Sequence, residues 1–334
     1  MVINRKVVLA KRPKGQLLES DFNLVEEELS SINEGEVLLQ VEHLSIDAFI
    51  RTTLEGPEGL HGTMKLDSAV TALGIGRVQQ SNFDGLNQGD AVFGPMGAQT
   101  HVIWPGEVLR KLEETEEIKT STYLGSMGMT TGLTAYAGLI LVGKVKKGDT
   151  VVVSAAAGAV GCMVCQLAKI KGAKTVGIAG GSKKCKFLTS EIGCDEAIDY
   201  KADDLTKNIR QAAPEGIDIF FDNVGGEVLD AALDNIASGA RVVICGAISQ
   251  YNNMENVVGP KLYLRIPERN ASMLGFTVDH YSNNFPKMEE EISTWIKEKK
   301  IHLPEHIEKG IENFPKALVK LMTGGHVGKL LVEL

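Results

Sequence analysis

The stretch Val151-Val-Val-Ser-Ala-Ala-Ala-Gly-Ala-Val-Gly161 holds the residue types best suited to cradle a phosphate. A β-branched run enters a turn of small residues, and an apolar helix is predicted from about Val160. Small residues let the backbone approach a pyrophosphate, and a helix start offers free N–H groups at the positive end of its dipole. Ala156, Gly158 and Gly161 stand at the G-x-G-x-x-G positions, with Ala replacing the first Gly. An ordinary strand-to-helix turn has a similar composition. Position decides between them: this turn follows the first strand of a six-strand alternation, which points to dinucleotide binding. An NAD-preferring site carries Asp or Glu about 20 residues further on, at the ribose 2′-hydroxyl. Here the second strand, Thr175–Ala179, runs instead into Gly180-Gly181-Ser182-Lys183-Lys184. A carboxylate there would repel a 2′-phosphate and an ammonium attracts it, so the sequence favours NADP(H). The alternative is a solvated helix start bearing Lys183, Lys184 and Lys186.

Two more loops end predicted strands. Phe221-Asp-Asn-Val-Gly-Gly226 follows the fourth, and Cys245-Gly-Ala-Ile-Ser-Gln-Tyr251 follows the fifth. Loops at the carboxyl ends of parallel strands line the cofactor crevice, so Ser249 and Tyr251 can reach a ligand. Plain turn chemistry is the competing explanation for either loop. Cys162-x-x-Cys165 has a metal-like or redox-like interval but falls inside a predicted helix, where the thiols pack against a sheet. The His residues are scattered at 43, 61, 101, 280, 302, 306 and 326. His302 and His306 share a helical spacing, but Pro304 between them argues against one helix presenting both. No catalytic metal is expected. Neither G-x-S-x-G nor H-E-x-x-H occurs to anchor a hydrolase.

The elements that must position these groups divide at about residue 120. Before it, short runs at Lys6–Ala10, Glu36–Val41, Gly74–Gln79, Asp90–Phe93 and Gln99–Trp104 are separated by turn residues, as in a small antiparallel barrel or sandwich. A helix is predicted around 122–142. Beyond it, apolar runs recur at Val151–Val153, Thr175–Ala179, Ala197–Asp199, Ile217–Phe221, Arg241–Cys245 and Met273–Val278. Helical segments such as Val160–Lys171 and Val228–Ala237 lie between most of them. Buried strands alternating with helices predict a doubly wound six-strand parallel sheet. Helices are further predicted at Pro286–Lys300 and Ile311–Met322. A closing strand, Gly328–Leu334, is expected to return to the N-terminal domain.

Composition narrows the partners. The 334 residues suggest two domains or one large α/β unit. The chain has 35 Lys and Arg against 43 Asp and Glu, a net charge of −8, which argues against a nucleic-acid partner. No run reaches the roughly 18–20 apolar residues of a membrane span, and the N-terminus lacks the apolar core of a secretory signal. Five Cys, all beyond residue 161, fit a reducing cytoplasm better than a disulfide framework.

Together these residues resemble the zinc-free medium-chain dehydrogenase/reductase superfamily, in its leukotriene hydroxydehydrogenase, prostaglandin reductase and alkenal double-bond reductase branch. The resemblance runs along nearly the whole chain. It is carried by Leu44-Ser-Ile-Asp47 with Arg51, Gly89–Gly94, Gly128–Tyr136, Ala155–Gly161, Phe221–Gly226, Cys245–Tyr251 and Gly328-Lys329. It implies a GroES-like catalytic barrel formed by both chain ends (1–121 and 304–334), a Rossmann domain over 122–303, and a homodimer. It further implies that Gly158, Ala159, Val160 and Gly161 hold the pyrophosphate, that Lys184 holds the 2′-phosphate, and that Tyr200 sits by the adenosine. Asn223 with Cys245, Gly246, Ala247, Ile248, Ser249 and Tyr251 would line the ribose and nicotinamide, and Phe276, Thr277 and Val278 would flank the nicotinamide. The chain departs from its relatives twice. Phe49 stands where they carry a substrate-pocket Tyr, and His326 and Val327 precede Gly328 where they carry Asn, so a cofactor contact at His326 is the corresponding expectation.

The expected reaction is NADPH-dependent reduction of a carbon–carbon double bond conjugated to a carbonyl. Without zinc, no Lewis acid polarises a simple ketone. An enone instead accepts hydride at its β carbon, and hydrogen-bond donors stabilise the resulting enolate oxygen. Tyr251 and the cofactor ribose hydroxyl are the candidate donors, with the α-carbon proton coming from Tyr251 or solvent. A quinone reductase on the same fold and a cofactor-binding sensor without turnover are the alternatives. Reduction of an enoyl thioester would require a basic groove for coenzyme A, which the barrel half lacks.

Overall fold

A computed structural model describes residues 2–55, 61–202 and 204–334. Along the chain it contains β1 (Val2–Leu9), β2 (Phe22–Leu29), β3 (Glu36–Ser45), α1 (Phe49–Thr53), β4 (Gly74–Ser81), β5 (Ala91–Gly94), β6 (His101–Pro105) and β7 (Arg110–Lys111). There follow α2 (Thr134–Tyr136), β8 (Thr150–Val153), α3 (Ala159–Ile170), β9 (Lys174–Ala179), α4 (Ser182–Phe187), β10 (Glu196–Asp199), α5 (Leu205–Ala212), β11 (Ile217–Asp222), α6 (Gly226–Leu233) and β12 (Ile236–Ile244). The chain closes with α7 (Arg265–Glu268), β13 (Ser272–Gly275), α8 (Phe285–Lys297), β14 (Glu305–Lys309), α9 (Phe314–Met322) and β15 (Lys329–Glu333). Two compact units result: residues 1–124 with 305–334, and residues 125–304.

In the first unit β1 and β2 form an antiparallel pair, and a second sheet runs β14-β15-β3-β4-β5-β7 with β6 also paired to β3. Val37, Leu39 and Val41 alternate along β3 and so bury one face of the sheet. Phe314, Ala317 and Leu318 of α9, at helical spacing, pack into the same core. β15 pairs antiparallel with β3, Leu331 opposite Ser45, so the closing strand returns to the N-terminal strands as expected.

The second unit holds a six-strand sheet in the order β10-β9-β8-β11-β12-β13. Every neighbouring pair is parallel, which is the doubly wound arrangement the sequence predicts. Val151, Val152 and Val153 are fully buried, because a parallel sheet is covered on both faces.

Several boundaries differ from the sequence reading. β2 was not foreseen: Phe22-Asn-Leu-Val-Glu-Glu-Glu-Leu29 is acidic and buries only Phe22, and its strand character comes from pairing with β1. The helix expected over 122–142 breaks at Gly128, which is extended (φ −73°, ψ 140°). It resumes as Met129–Leu133 and Ala137–Val142, wound more loosely than an α-helix on either side of α2. The helix expected over Val228–Ala237 ends at Leu233, because the Asn235 side chain donates to the Ala213 carbonyl (2.9 Å) and Ile236 already pairs with Ile217. The sixth strand stops at Gly275 rather than Val278, leaving Phe276 and Thr277 in a connection.

Candidate active site

The turn from β8 to α3 is built for close approach. Gly158, extended at φ −82° and ψ 175°, precedes α3 and supplies no side-chain cap. The first N–H groups of a helix have no partner within it, so those of Ala159, Val160 and Gly161 point out of its start. Ala155 holds a left-handed φ of 47°, a strained conformation for a residue with a Cβ. A Cβ on Gly161 would lie 2.5 Å from the Ala155 carbonyl oxygen and 2.6 Å from the Ala156 Cα, so only glycine lets α3 start this near its own loop. At Gly158 a Cβ would meet only the Ala155 oxygen, at 3.3 Å, leaving the outer side of the turn open. This backbone cradle fits a pyrophosphate.

Asp222, fully buried at the end of β11, organises the neighbouring strand ends. Its carboxylate accepts from the Ser154 hydroxyl (2.8 Å) and from the N–H groups of Val224 (3.0 Å) and Gly225 (3.1 Å to each oxygen). Burial pushes this carboxyl up from its ordinary range, and these donors oppose the rise. The Ser154 hydroxyl also accepts from the Asn223 N–H (2.8 Å), and the Asn223 amide donates to the Ser154 carbonyl (2.7 Å). Asn223 is therefore fixed beside the phosphate turn although it lies 69 residues from Ser154. Neither Asp222 nor Ser154 was singled out from sequence.

The same aspartate holds the loop after β12. Its backbone carbonyl accepts from the N–H groups of Cys245 (2.8 Å) and Gly246 (3.1 Å). Ile248 N–H donates to the Asn223 carbonyl, and Ser249 N–H and hydroxyl both donate to the Val224 carbonyl (3.2 and 2.6 Å). The Ser249 hydroxyl thus serves the loop itself. Tyr251 is buried, and its phenolic oxygen accepts the Ala247 N–H at 3.2 Å. A side chain at Gly246 would crowd that oxygen, at 3.0 Å. Burial raises the Tyr251 pKa above its ordinary value, more than the Ala247 bond lowers it, so the phenol is neutral at physiological pH. The Cys245 thiol is pushed up to about 12, chiefly by burial and then by Asp222, so it is no thiolate nucleophile.

Cations gather after β9 and β10. Lys184, in α4, is half-buried, and its pKa is lowered first by burial and then by the ammonium of Lys201. Tyr200 and Lys201 pack over Gly180, where a Cβ would lie 2.9 Å from the Tyr200 ring and 3.0 Å from the Lys201 chain. The Lys201 ammonium stands 6.0 Å from the centre of the Tyr200 ring. Asp199, the nearby acid, is turned to the backbone, accepting from the N–H groups of Gly181 (2.8 Å) and Lys201 (3.0 Å). The result is two ammonium groups beside an exposed aromatic face. Lys201 was missed because it enters from β10, away from the Gly-Gly-Ser-Lys-Lys run.

Phe276 meets Phe221 and Tyr281 edge-on, each at 6.4 Å, and Gly138 leaves room for it. Thr277 is exposed and Val278 buried. Phe49 and His326 belong to the first unit: Phe49 opens α1, and His326 lies in the turn between α9 and β15. Cys162 and Cys165 are buried in α3, in keeping with packing against the sheet. His302 and His306 fall in different units. Among the described residues no three His, Cys, Asp or Glu side chains converge as a metal site would require.

Comparison with known proteins agrees with this architecture. Residues 5–112 match the family described as the N-terminal domain of oxidoreductase, and residues 159–294 match the one described as zinc-binding dehydrogenase. The chain is 38% identical over 338 residues to prostaglandin reductase 1 of Bos taurus, covering 100% of both chains. It is 37% identical over 337 residues to the NADP(+)-dependent 2-alkenal reductase of Nicotiana tabacum, covering 99% of this chain and 97% of that one. The crystal structure of CurA in complex with NADPH, from Vibrio vulnificus, superposes with a TM-score of 0.93 at 36% identity, covering 98% of each chain. The cradle of small residues, the paired strand-end loops and these full-length similarities mean that the chain belongs to the medium-chain dehydrogenase/reductase superfamily, in its prostaglandin reductase and alkenal reductase branch.

Proposed function

We propose that this protein is an NADPH-dependent reductase of α,β-unsaturated ketones and aldehydes that works without zinc. The backbone of Gly158–Gly161 would hold the pyrophosphate, and Lys184, Lys201 and Tyr200 the 2′-phosphate and adenosine. Asn223 and the loop 245–251 would line the ribose and nicotinamide, with Phe276, Thr277 and Val278 beside it. The reduced nicotinamide, when bound, supplies the hydride. The part left to the chain is to stabilise the enolate oxygen and supply a proton. One observation carries the reading: the neutral Tyr251 phenol accepts a backbone N–H through its oxygen, and among the described residues its own proton meets no acceptor. That proton is available to the enolate oxygen or, after turnover begins, to the α carbon.

A homodimer is part of the same reading, supported by the place of β13 at the end of its sheet and by the exposed Val257, Val258, Tyr263 and Leu264. All five cysteines are free, which supports residence in the cytoplasm. No helix among the described residues is long and apolar enough to cross a membrane. The reading is tested by following NADPH oxidation across alkenals, cyclic enones, aryl enones and quinones. Saturated carbonyl products support it, and turnover of quinones alone would overturn it.

A further inference from the structure

Asp222 carries a charge that no cation balances. Among the described residues its carboxylate forms no ion pair: burial raises its pKa, and the donors that oppose the rise are one hydroxyl and two backbone N–H groups. Both oxygens face donors, which holds the carboxyl as an anion. Those donors are dipoles, so the net charge stays in an interior that screens it poorly. The sheet order says what lies near it. From β8 the chain steps outward through β9 to β10, returns to β11 on the other side of β8, and steps outward again through β12 to β13. Dinucleotides bind across such a reversal, outside the carboxyl ends of the strands. Ser154 directly follows β8 and Asp222 ends β11, so their 2.8 Å bond spans the reversal. The ammonium groups of Lys184 and Lys201 assign the β9–β10 side to the phosphorylated adenosine half. The nicotinamide half is left the side of β11 and β12, whose loops Asp222 ties together through its side chain and its carbonyl. Its field is felt there: after burial, Asp222 is the further cause that raises the Cys245 thiol, and it adds to the effect of burial on Tyr251.

We propose that the Asp222 carboxylate tunes the cofactor couple, its charge favouring the oxidised, positively charged nicotinamide over the reduced, neutral one. Hydride transfer carries two electrons and one proton from the ring to the β carbon and leaves one positive charge on the ring. The displaced electron pair rests on the enolate oxygen until a proton arrives. A fixed anion on the cofactor side stabilises the first of these charges without any group having to move. Fully buried, Asp222 touches no ligand and acts through its field, whereas Tyr251 serves the opposite end, at the enolate oxygen. The assignment rests on the nicotinamide placement in the proposed function and not on the identity of the acceptor.

The test reads binding, with no enone present. Calorimetry at about pH 7, where carboxylates are ionised, gives the affinities of the parent and of Asp222→Asn for NADP+ and for NADPH. Oδ1 alone already accepts from Ser154, Val224 and Gly225, so asparagine can keep all three bonds while losing the charge. The NADP+ affinity of this variant should fall by roughly 3- to 30-fold relative to its NADPH affinity, the scale of one buried unit charge acting across several ångströms. Asp222→Ser, also neutral, should move the ratio in the same direction. Ser154→Ala removes a bond and no charge, so it should keep the parent's ratio even where both affinities fall. A folded neutral variant with the parent's ratio, its two affinities unchanged or lowered alike, would make Asp222 a structural residue and overturn the assignment. Failure of both neutral variants to fold would overturn it too, because the carboxylate would then be needed for the fold itself. Either result would leave enone reduction standing, since that reading fails only on the panel of alkenals, enones and quinones.

Discussion

At the scale of single residues, the proposed chemistry rests on a phenol and two ammonium groups. Tyr251 is pinned through its oxygen and kept neutral by burial. If it stabilises the enolate alone, its loss should cost roughly 10²–10³ in rate. The cofactor ribose hydroxyl and water can share the task, so Tyr251→Phe should lower enone kcat by about one order of magnitude and alter NADPH affinity far less, the signature of a contact made in the transition state. Turnover at the parent rate would reduce Tyr251 to a wall of the site. In the proposed reading the neutral phenol is the donor, and its pKa is raised, so the parent should show no loss from Tyr251 ionisation below about pH 10. Burial and then the ammonium of Lys201 lower the Lys184 pKa, and an arriving anion relieves that repulsion. Lys184→Glu should therefore weaken NADPH binding by roughly 10- to 100-fold and NADH binding much less, as read by calorimetry. Equal affinity of the parent for both cofactors would contradict this. Lys184 was legible in the Gly-Gly-Ser-Lys-Lys run after the second strand, and singled out there by the family resemblance; Lys201 was not, because only the parallel pairing of β10 with β9 brings the two strand ends together.

Elements turn these residues into a site. The alternation of apolar strands with helices made the six-strand sheet readable, since strands buried on both faces are continuous apolar runs. What could not be read was the bonding between strand ends far apart in sequence. Asp222 and Ser154 are 68 residues apart, and neither carries a local signal of its role. Nor did the acidic β2 announce itself, since its outward side chains obscure the alternation. The first unit has a comparable hidden tie. Lys329 of β15 is 1% exposed and donates at 2.7 Å to Asp47, just before α1, while the Ser45 hydroxyl donates to the other oxygen of the same carboxylate. Removing one member leaves a buried charge alone, so Lys329→Met should destabilise the protein by about 3–5 kcal/mol in denaturant titration. Changing Asp47 to Leu together with Lys329 to Met should recover most of that loss, because a matched apolar pair leaves no charge to desolvate. A double variant no more stable than the single one would show that Asp47 matters in some other way.

For the whole molecule, the account is one of division of labour: a parallel-sheet unit that cradles a dinucleotide, and a unit formed by both chain ends that carries Phe49. That both ends would meet in one unit was an expectation carried by the family resemblance; the apolar run after Gly328-Lys329 shows a strand but not its partner, which the pairing of β15 with β3 supplies. The substrate was not legible, since it depends on how side chains from separate loops meet, which no run of residues records. The central claim is that the reducing equivalent goes to a carbon–carbon double bond conjugated to a carbonyl, without a metal. It is met most directly by incubating the purified protein with NADPH, an enone and a strong chelator, and identifying the product. The account predicts the saturated ketone or aldehyde with the carbonyl intact, one NADPH consumed per product, at a rate the chelator does not change. An allylic alcohol, or activity lost to the chelator and restored by zinc, would contradict it.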